Sequence, residues 1–300
     1  MSIYDNTVAM SLSVGSFGNS AKVDKETLRE VMPAVSDVAI EEYLKTTRKL
    51  ISGDEFKAIK SRDSEFYLWF KKQTVPSYFR KGISLIPQQH VSYVAQKLAE
   101  YKAEREELVE ALGLVWEARW HESQAETAEK FGYLECPPWD RVQSRFYVRH
   151  GYLALTVPGN LQIVSQQVYD QEVAAMQSRL REVEQAITAM LRQEVVDLTR
   201  HLVSRLRGLD DGTTRRFASS SIGNLEEWCR LFLDGRNVCN DEELKQVVEN
   251  LSAVIMQSDD VELLKSHEQF RASVIGNLEQ CIKEVELQLE AAPTRALELE

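Results

Sequence analysis

Much that would announce a chemistry is missing from this chain of 300 residues. Its five histidines, His90, His121, His150, His201 and His267, are scattered, with no HExxH pair to hold zinc. Neither a GxSxG nucleophile turn nor a Rossmann glycine pattern is present. The stretch GSFGNSAK, from Gly15 to Lys22, has the glycines of a phosphate loop without its GK[ST] ending. Neither the lysine nor the metal-binding hydroxyl is therefore placed, and a plain turn is expected. The four cysteines, Cys136, Cys229, Cys239 and Cys281, form no CxxC pair and have no histidine at ligand spacing. That pattern points to free buried thiols in a reducing cytoplasm. No apolar run approaches the ~18 residues that span a bilayer, and the N-terminus has neither a basic nor an apolar leader region. The expected location is cytoplasmic: bacterial, or that of the host if the chain is phage-encoded.

Positive charge is also scarce where it would matter. The formal net charge is -11. Residues 223–300 hold 17 acidic and 7 basic side chains, so nearly all of that negative balance belongs to the C-terminal quarter. A broad footprint for nucleic-acid phosphates would need the opposite sign.

What the chain has is helix. Residues 160–207 contain no proline or glycine, and Val173, Met176, Leu180, Val183, Ile187, Leu191, Val195, Leu198 and Leu202 recur by threes and fours. The run of fours from Val183 to Val195 breaks a strict heptad. At about 1.5 Å per residue this helix could reach roughly 70 Å, too long for a compact core to cover. A partner of similar length precedes it: Val91, Val94, Leu98, Tyr101, Arg105, Leu108, Leu112, Val115 and Arg119 repeat as three, four, three, four. Its two arginines can snorkel or pair, Trp116 and Trp120 share a face by their spacing of four, and Gly113 costs ~1 kcal/mol relative to alanine. The two seams together predict a mainly α fold with small β elements. Its centre is a long antiparallel coiled-coil helical hairpin over residues 88–207, whose seams can close within one chain or between two as a homo-oligomer.

Strand periodicity occurs in three places. Thr7 to Val14 alternates, Ile83 to Ile86 is a short apolar run between Pro76 and Pro87, and residues 141–157 read as a β-hairpin turning at His150 and Gly151. In that hairpin Arg141, Arg145, Tyr147 and Arg149 would line one face. Arginines interleaved with a tyrosine suit phosphate or an acidic partner, and they equally describe a solvated strand face. Helices are expected at about 36–50 and 54–72 before the long pair. Residues 208–223 read as a linker, and 224–300 as a small acidic helical domain, with an Asn240/Glu243 capping box and a fraying tail from Ala291. Residues 1–87 form the remaining N-terminal division. Asp241, Glu242 and Asp259 are the candidate acidic surface for a partner.

Several stretches, TVAMSLSVGSF, SEFYLWFKKQTVPSYFRKGISLIP, VSYVAQKLAEYKAEREELVEALGLVWEARW, RFYVRHGYLALTV and FLDGRNVCNDEELKQVVENL, span most of the chain. Together they resemble an uncharacterised phage and bacterial family, a domain of unknown function. The resemblance implies an accessory or adaptor role beside a MoxR-type AAA+ ATPase and a von Willebrand factor A domain protein. It brings no catalytic, cofactor or metal residues. A non-enzymatic scaffold is the leading expectation, and a nucleic-acid-associated phage protein using the arginine hairpin is the alternative.

Overall fold

The computed structural model describes residues 3–42, 44, 46–208, 220–257 and 261–290. Its first elements are β1 (Thr7–Gly15), β2 (Ser20–Lys22), α1 (Lys25–Val31), α2 (Asp37–Glu42), β3 (Thr47–Lys49) and α3 (Asp54–Gln73). Then come β4 (Val75–Pro76), β5 (Ile83–Pro87), α4 (Val91–Phe131), α5 (Trp139–Gln143), β6 (Tyr147–Leu153) and α6 (Asn160–Val164). The chain continues with α7 (Gln166–Arg207), α8 (Ser220–Leu231), α9 (Glu242–Gln257), α10 (Val261–Ser266) and α11 (Glu268–Glu290). The fold is mainly α with small β elements, as the periodicities require. No helix among the described residues is long and apolar enough to cross a membrane.

Two compact units divide the chain. A middle unit holds residues 12–69 and 95–150; a C-terminal unit holds 1–11, 70–94 and 151–300. They cut across the sequential divisions expected from the sequence, because β1, α3, α4 and β6 each run from one unit into the other. In the C-terminal unit β1 pairs antiparallel with β5, Thr7 opposite Pro87 through Ser11 opposite Ile83, and β5 pairs with β4.

The core of the middle unit lies along α4. Leu98, Tyr101, Arg105, Val109, Leu112, Trp116 and Trp120 are buried. The sequence leads one to expect Leu108, Val115 and Arg119 on this line. A straight helix has 3.6 residues per turn rather than 3.5, so after Arg105 the covered face moves one residue onto Val109, Trp116 and Trp120. Phe66 of α3 stacks on Tyr101, with ring centroids 4.0 Å apart. Arg105 is held by Asp63 at 2.7 Å and donates to the Gly15 carbonyl, while Arg119 pairs with Glu55 and Glu122. Gly113 is explained by packing. A Cβ there would stand 2.7 Å from the Trp139 ring.

Where a single helix over 36–50 is expected, the chain forms α2 and then β3. The strand pairs with β2, Ser20 opposite Lys49, and Asn19 bonds the Ile51 backbone in both directions at 2.8 Å. Long-range pairing outweighs local helix propensity there. The same contacts make GSFGNSAK a structural turn.

In the C-terminal unit α7 packs antiparallel on α11, with Arg200 paired to Glu286 and Arg207 to Glu279. Val183, Ile187, Leu191, Val195, Leu202 and Leu206 of α7 are buried in one cluster with Leu225 and Trp228 of α8, Leu244 and Leu251 of α9, and Leu278 and Val285 of α11. Within its own unit each long helix is covered by shorter elements, α4 along most of its length and α7 from Val183 onward. The unbroken helix expected from Asn160 is interrupted at Ser165, whose extended backbone and hydroxyl cap α7 by accepting the Val168 N–H. The expected linker between 208 and 223 falls mostly on residues outside those described, as does the tail from Ala291.

Candidate functional site

The expected arginine face is not assembled. Pro138 opens the short helix α5 and Trp139 packs over Gly113, so Arg141 sits on a helix, Arg145 in the turn after it, and only Tyr147 and Arg149 on β6. Nor does the chain turn at His150 and Gly151. β6 runs straight through both to Leu153, with the Ser11 hydroxyl bonding the Gly151 carbonyl at 3.3 Å, and residues 154–157 form no returning strand. The β-hairpin expected at 141–157 is therefore a helix, a turn and one strand. The local period of two was overridden by the packing of Trp139 and Val142, and Val142 is buried. All three arginines are exposed. Arg149 lies over the Tyr147 ring at 4.4 Å, a cation–π contact that uses the one tyrosine of the set. His150 accepts from Lys102 at 3.0 Å, and burial together with that ammonium lowers its pKa.

The three acidic residues separate as well. Asp241 is not surface: it is the N-cap of α9, accepting from the Leu244 N–H, and it grips Arg192 through both carboxylate oxygens at 2.8 and 3.0 Å. Arg192 also reaches Glu243 and the Gln288 carbonyl, so one guanidinium ties α7, α9 and α11 together. The cap stands one residue later than the sequence pattern suggests, because Asn240 takes a left-handed backbone with φ 53° and ends the preceding turn. Glu242 is exposed and pairs with Lys245, while Asp259 lies outside the described residues.

A polar cleft in the C-terminal unit went unread in the sequence. After α8, Phe232–Arg236 makes a wide turn kinked at Gly235, whose backbone is extended rather than helical (φ 166°). It turns Arg236 inward to Glu194, which also receives the Trp228 indole N–H. Gly235 allows the close approach of the segment before α4: a Cβ there would lie 2.2 Å from the Gln89 amide. Asp234 then stands 3.3 Å from Nε2 of buried His90. Gln73, Gln89, His90, Tyr93, Arg230, Leu231 and Asp234 line a cleft of about 530 Å³. A carboxylate beside an imidazole orients the ring, but the seven lining side chains offer no serine, cysteine or lysine to act as nucleophile. No sequence signal marked this place, because its lining residues come from segments around 73, 89–93 and 230–234 that lie far apart in the chain.

The four thiols are free. Burial pushes the Cys229 and Cys239 pKa values up to about 12, which suppresses thiolate chemistry. Among the described residues no group of His, Cys, Asp and Glu is placed to hold a metal ion.

The surface feature that needs explaining is apolar. From the end of β6 to the start of α7, Tyr152, Leu153, Ile163, Val164 and Val168 are all exposed, Ile163 and Val164 at 88% and 82%. Isolated surface apolar residues are ordinary, whereas several in one short segment mark an interaction site. Against this geometry, no protein-family model, no curated protein and no solved structure matches the chain.

Proposed function

We propose that the protein is a non-enzymatic scaffold or adaptor that holds other proteins. By the family resemblance, its partners are a MoxR-type AAA+ ATPase and a von Willebrand factor A domain protein of a phage or bacterial system. The observation that carries the reading is the exposed apolar segment from Tyr152 to Val168. A partner that covers Ile163 and Val164 removes from water a surface that this chain leaves bare, and that burial is the main favourable term in protein association. The acidic balance of residues 223–300 adds a longer-range attraction for a basic patch, which speeds encounter and weakens with salt. The nucleic-acid alternative loses its support with the arginine face.

Co-purification with the ATPase and the von Willebrand factor A domain protein encoded beside it, with and without ATP and at low salt, tests the reading. Wild type should associate with at least one of them, and Ile163→Asp with Val164→Asp should abolish association while leaving the helical content unchanged. Failure of wild type to bind either protein under any of these conditions would overturn it.

A further inference from the structure

The stripe of α7 changes period at the residue where it becomes buried. From Val183 onward it steps by fours through Ile187, Leu191 and Val195, and all four side chains are buried in the core of the C-terminal unit. Before Val183 it steps four, three, four, three through Tyr169, Val173, Met176 and Leu180, and all four are only partly buried. A strict heptad is the spacing that keeps a seam facing another supercoiled helix, while a run of fours suits a straight helix in a globular core. The incompletely covered half of α7 therefore has the period of a coiled coil.

Its charges make that half complementary to itself. Asp170 and Glu172 lie toward its N-terminal end, Arg179 and Arg181 toward its C-terminal end. Place a second copy antiparallel, with the two-fold axis midway between Ala174 and Ala175. Val173 then meets Met176 of the second copy, and Tyr169 meets Leu180. The same register sets Glu172 opposite Arg179 on one flank of the seam, twice by symmetry, and Asp170 opposite Gln177 on the other. Neither Glu172 nor Arg179 has an ion-pair partner among the described residues. A parallel pair would instead set Glu172 against Gln177 and leave its charge uncompensated. An isologous interface must be self-complementary in this way.

We infer that residues 166–183 pair antiparallel with the same residues of a second copy, making the protein a homodimer. The inference goes beyond the adaptor reading: it concerns the heptad stripe rather than the segment around Ile163, and its occupant is another copy of this chain.

Size-exclusion chromatography with light scattering on the full chain tests it at micromolar concentration. Wild type should run at twice the 34.3 kDa chain mass. Met176→Lys should give monomer with unchanged helical circular dichroism. Glu172→Arg and Arg179→Glu should each be monomeric at low salt, since each sets like charges opposite one another. An equimolar mixture of these two variants should recover the dimer, as should the double swap. A monomeric wild type overturns the inference, and so does a dimer indifferent to Met176→Lys. Loss of the dimer in both charge variants without recovery on mixing overturns the antiparallel register. A monomeric wild type whose binding to the ATPase is lost in Met176→Lys would assign the stripe to that partner, leaving the adaptor reading standing without the homodimer.

Discussion

The helices α4 and α7 are nearly equal in length, 41 and 42 residues, and both are almost free of helix breakers. Their coverage differs. In the middle unit α4 is buried at every turn from Leu98 to Gln124, by aromatic rings and by charged pairs such as Arg105 with Asp63. In the C-terminal unit α7 is buried only from Val183 onward. The difference teaches that an apolar stripe reports the wish of a helix for a neighbour, not which neighbour it obtains. In α4 the stripe drifts with the true helical period because its cover is a local core. In α7 the period itself divides into a heptad half and a globular half, and burial follows that division.

The sharpest way to break the comparison is a charge placed on either side of Val183. Ile187→Asp inserts an unpaired carboxylate among Leu244, Leu278 and their neighbours and should cost above about 4 kcal/mol, or abolish folding of the C-terminal unit. Leu180→Asp, two turns earlier on the same stripe, should cost the monomer under about 1 kcal/mol, read by chemical denaturation at low protein concentration. Equal losses would show that the whole stripe is core.

A second test locates the covered line of α4. Trp116→Ala should cost about 3–5 kcal/mol, because it empties the centre of a cluster with Phe17, Trp120 and Trp139 and removes the bond to the Pro137 carbonyl. Val115→Ala, on the line a strict heptad would choose, should cost about 1 kcal/mol or less. Thermal melts of the pair distinguish a straight helix from a supercoiled one.

Smaller still is Gly113→Ala. Helix propensity alone favours alanine by about 1 kcal/mol, yet the Trp139 ring leaves no space for the methyl group. The net effect should be a loss of about 1 kcal/mol, and a gain would mean that Trp139 moves away without cost.

The smallest effect is a titration. Burial first, and Lys102 second, hold the His150 pKa below its ordinary value. The unfolded chain then binds that proton more readily than the folded one, so this histidine removes stability as pH falls through about 6.5. Lys102→Met should raise the His150 pKa, observable by proton NMR of the imidazole. An unchanged value would leave burial as the sole cause.

By itself the sequence determined the mainly α class, both long helices, the first strand, the strand ending at Pro87 and the helix from Asp54, because each rests on a local period sustained over many residues. It also contained the change from heptad to fours at Val183, which anticipates where α7 leaves the core. Only the tertiary structure decided the partners of those stripes, since covering a helix depends on segments far away in the chain: α11 is some eighty residues from the part of α7 it packs on. The same reason dissolved the candidate sites. Arg141 and Arg145 left the strand because Trp139 and Val142 found a core, and Asp241 left the surface because Arg192 lay within reach. The cleft around His90 and Asp234 is built from segments more than a hundred residues apart, and no period could have announced it.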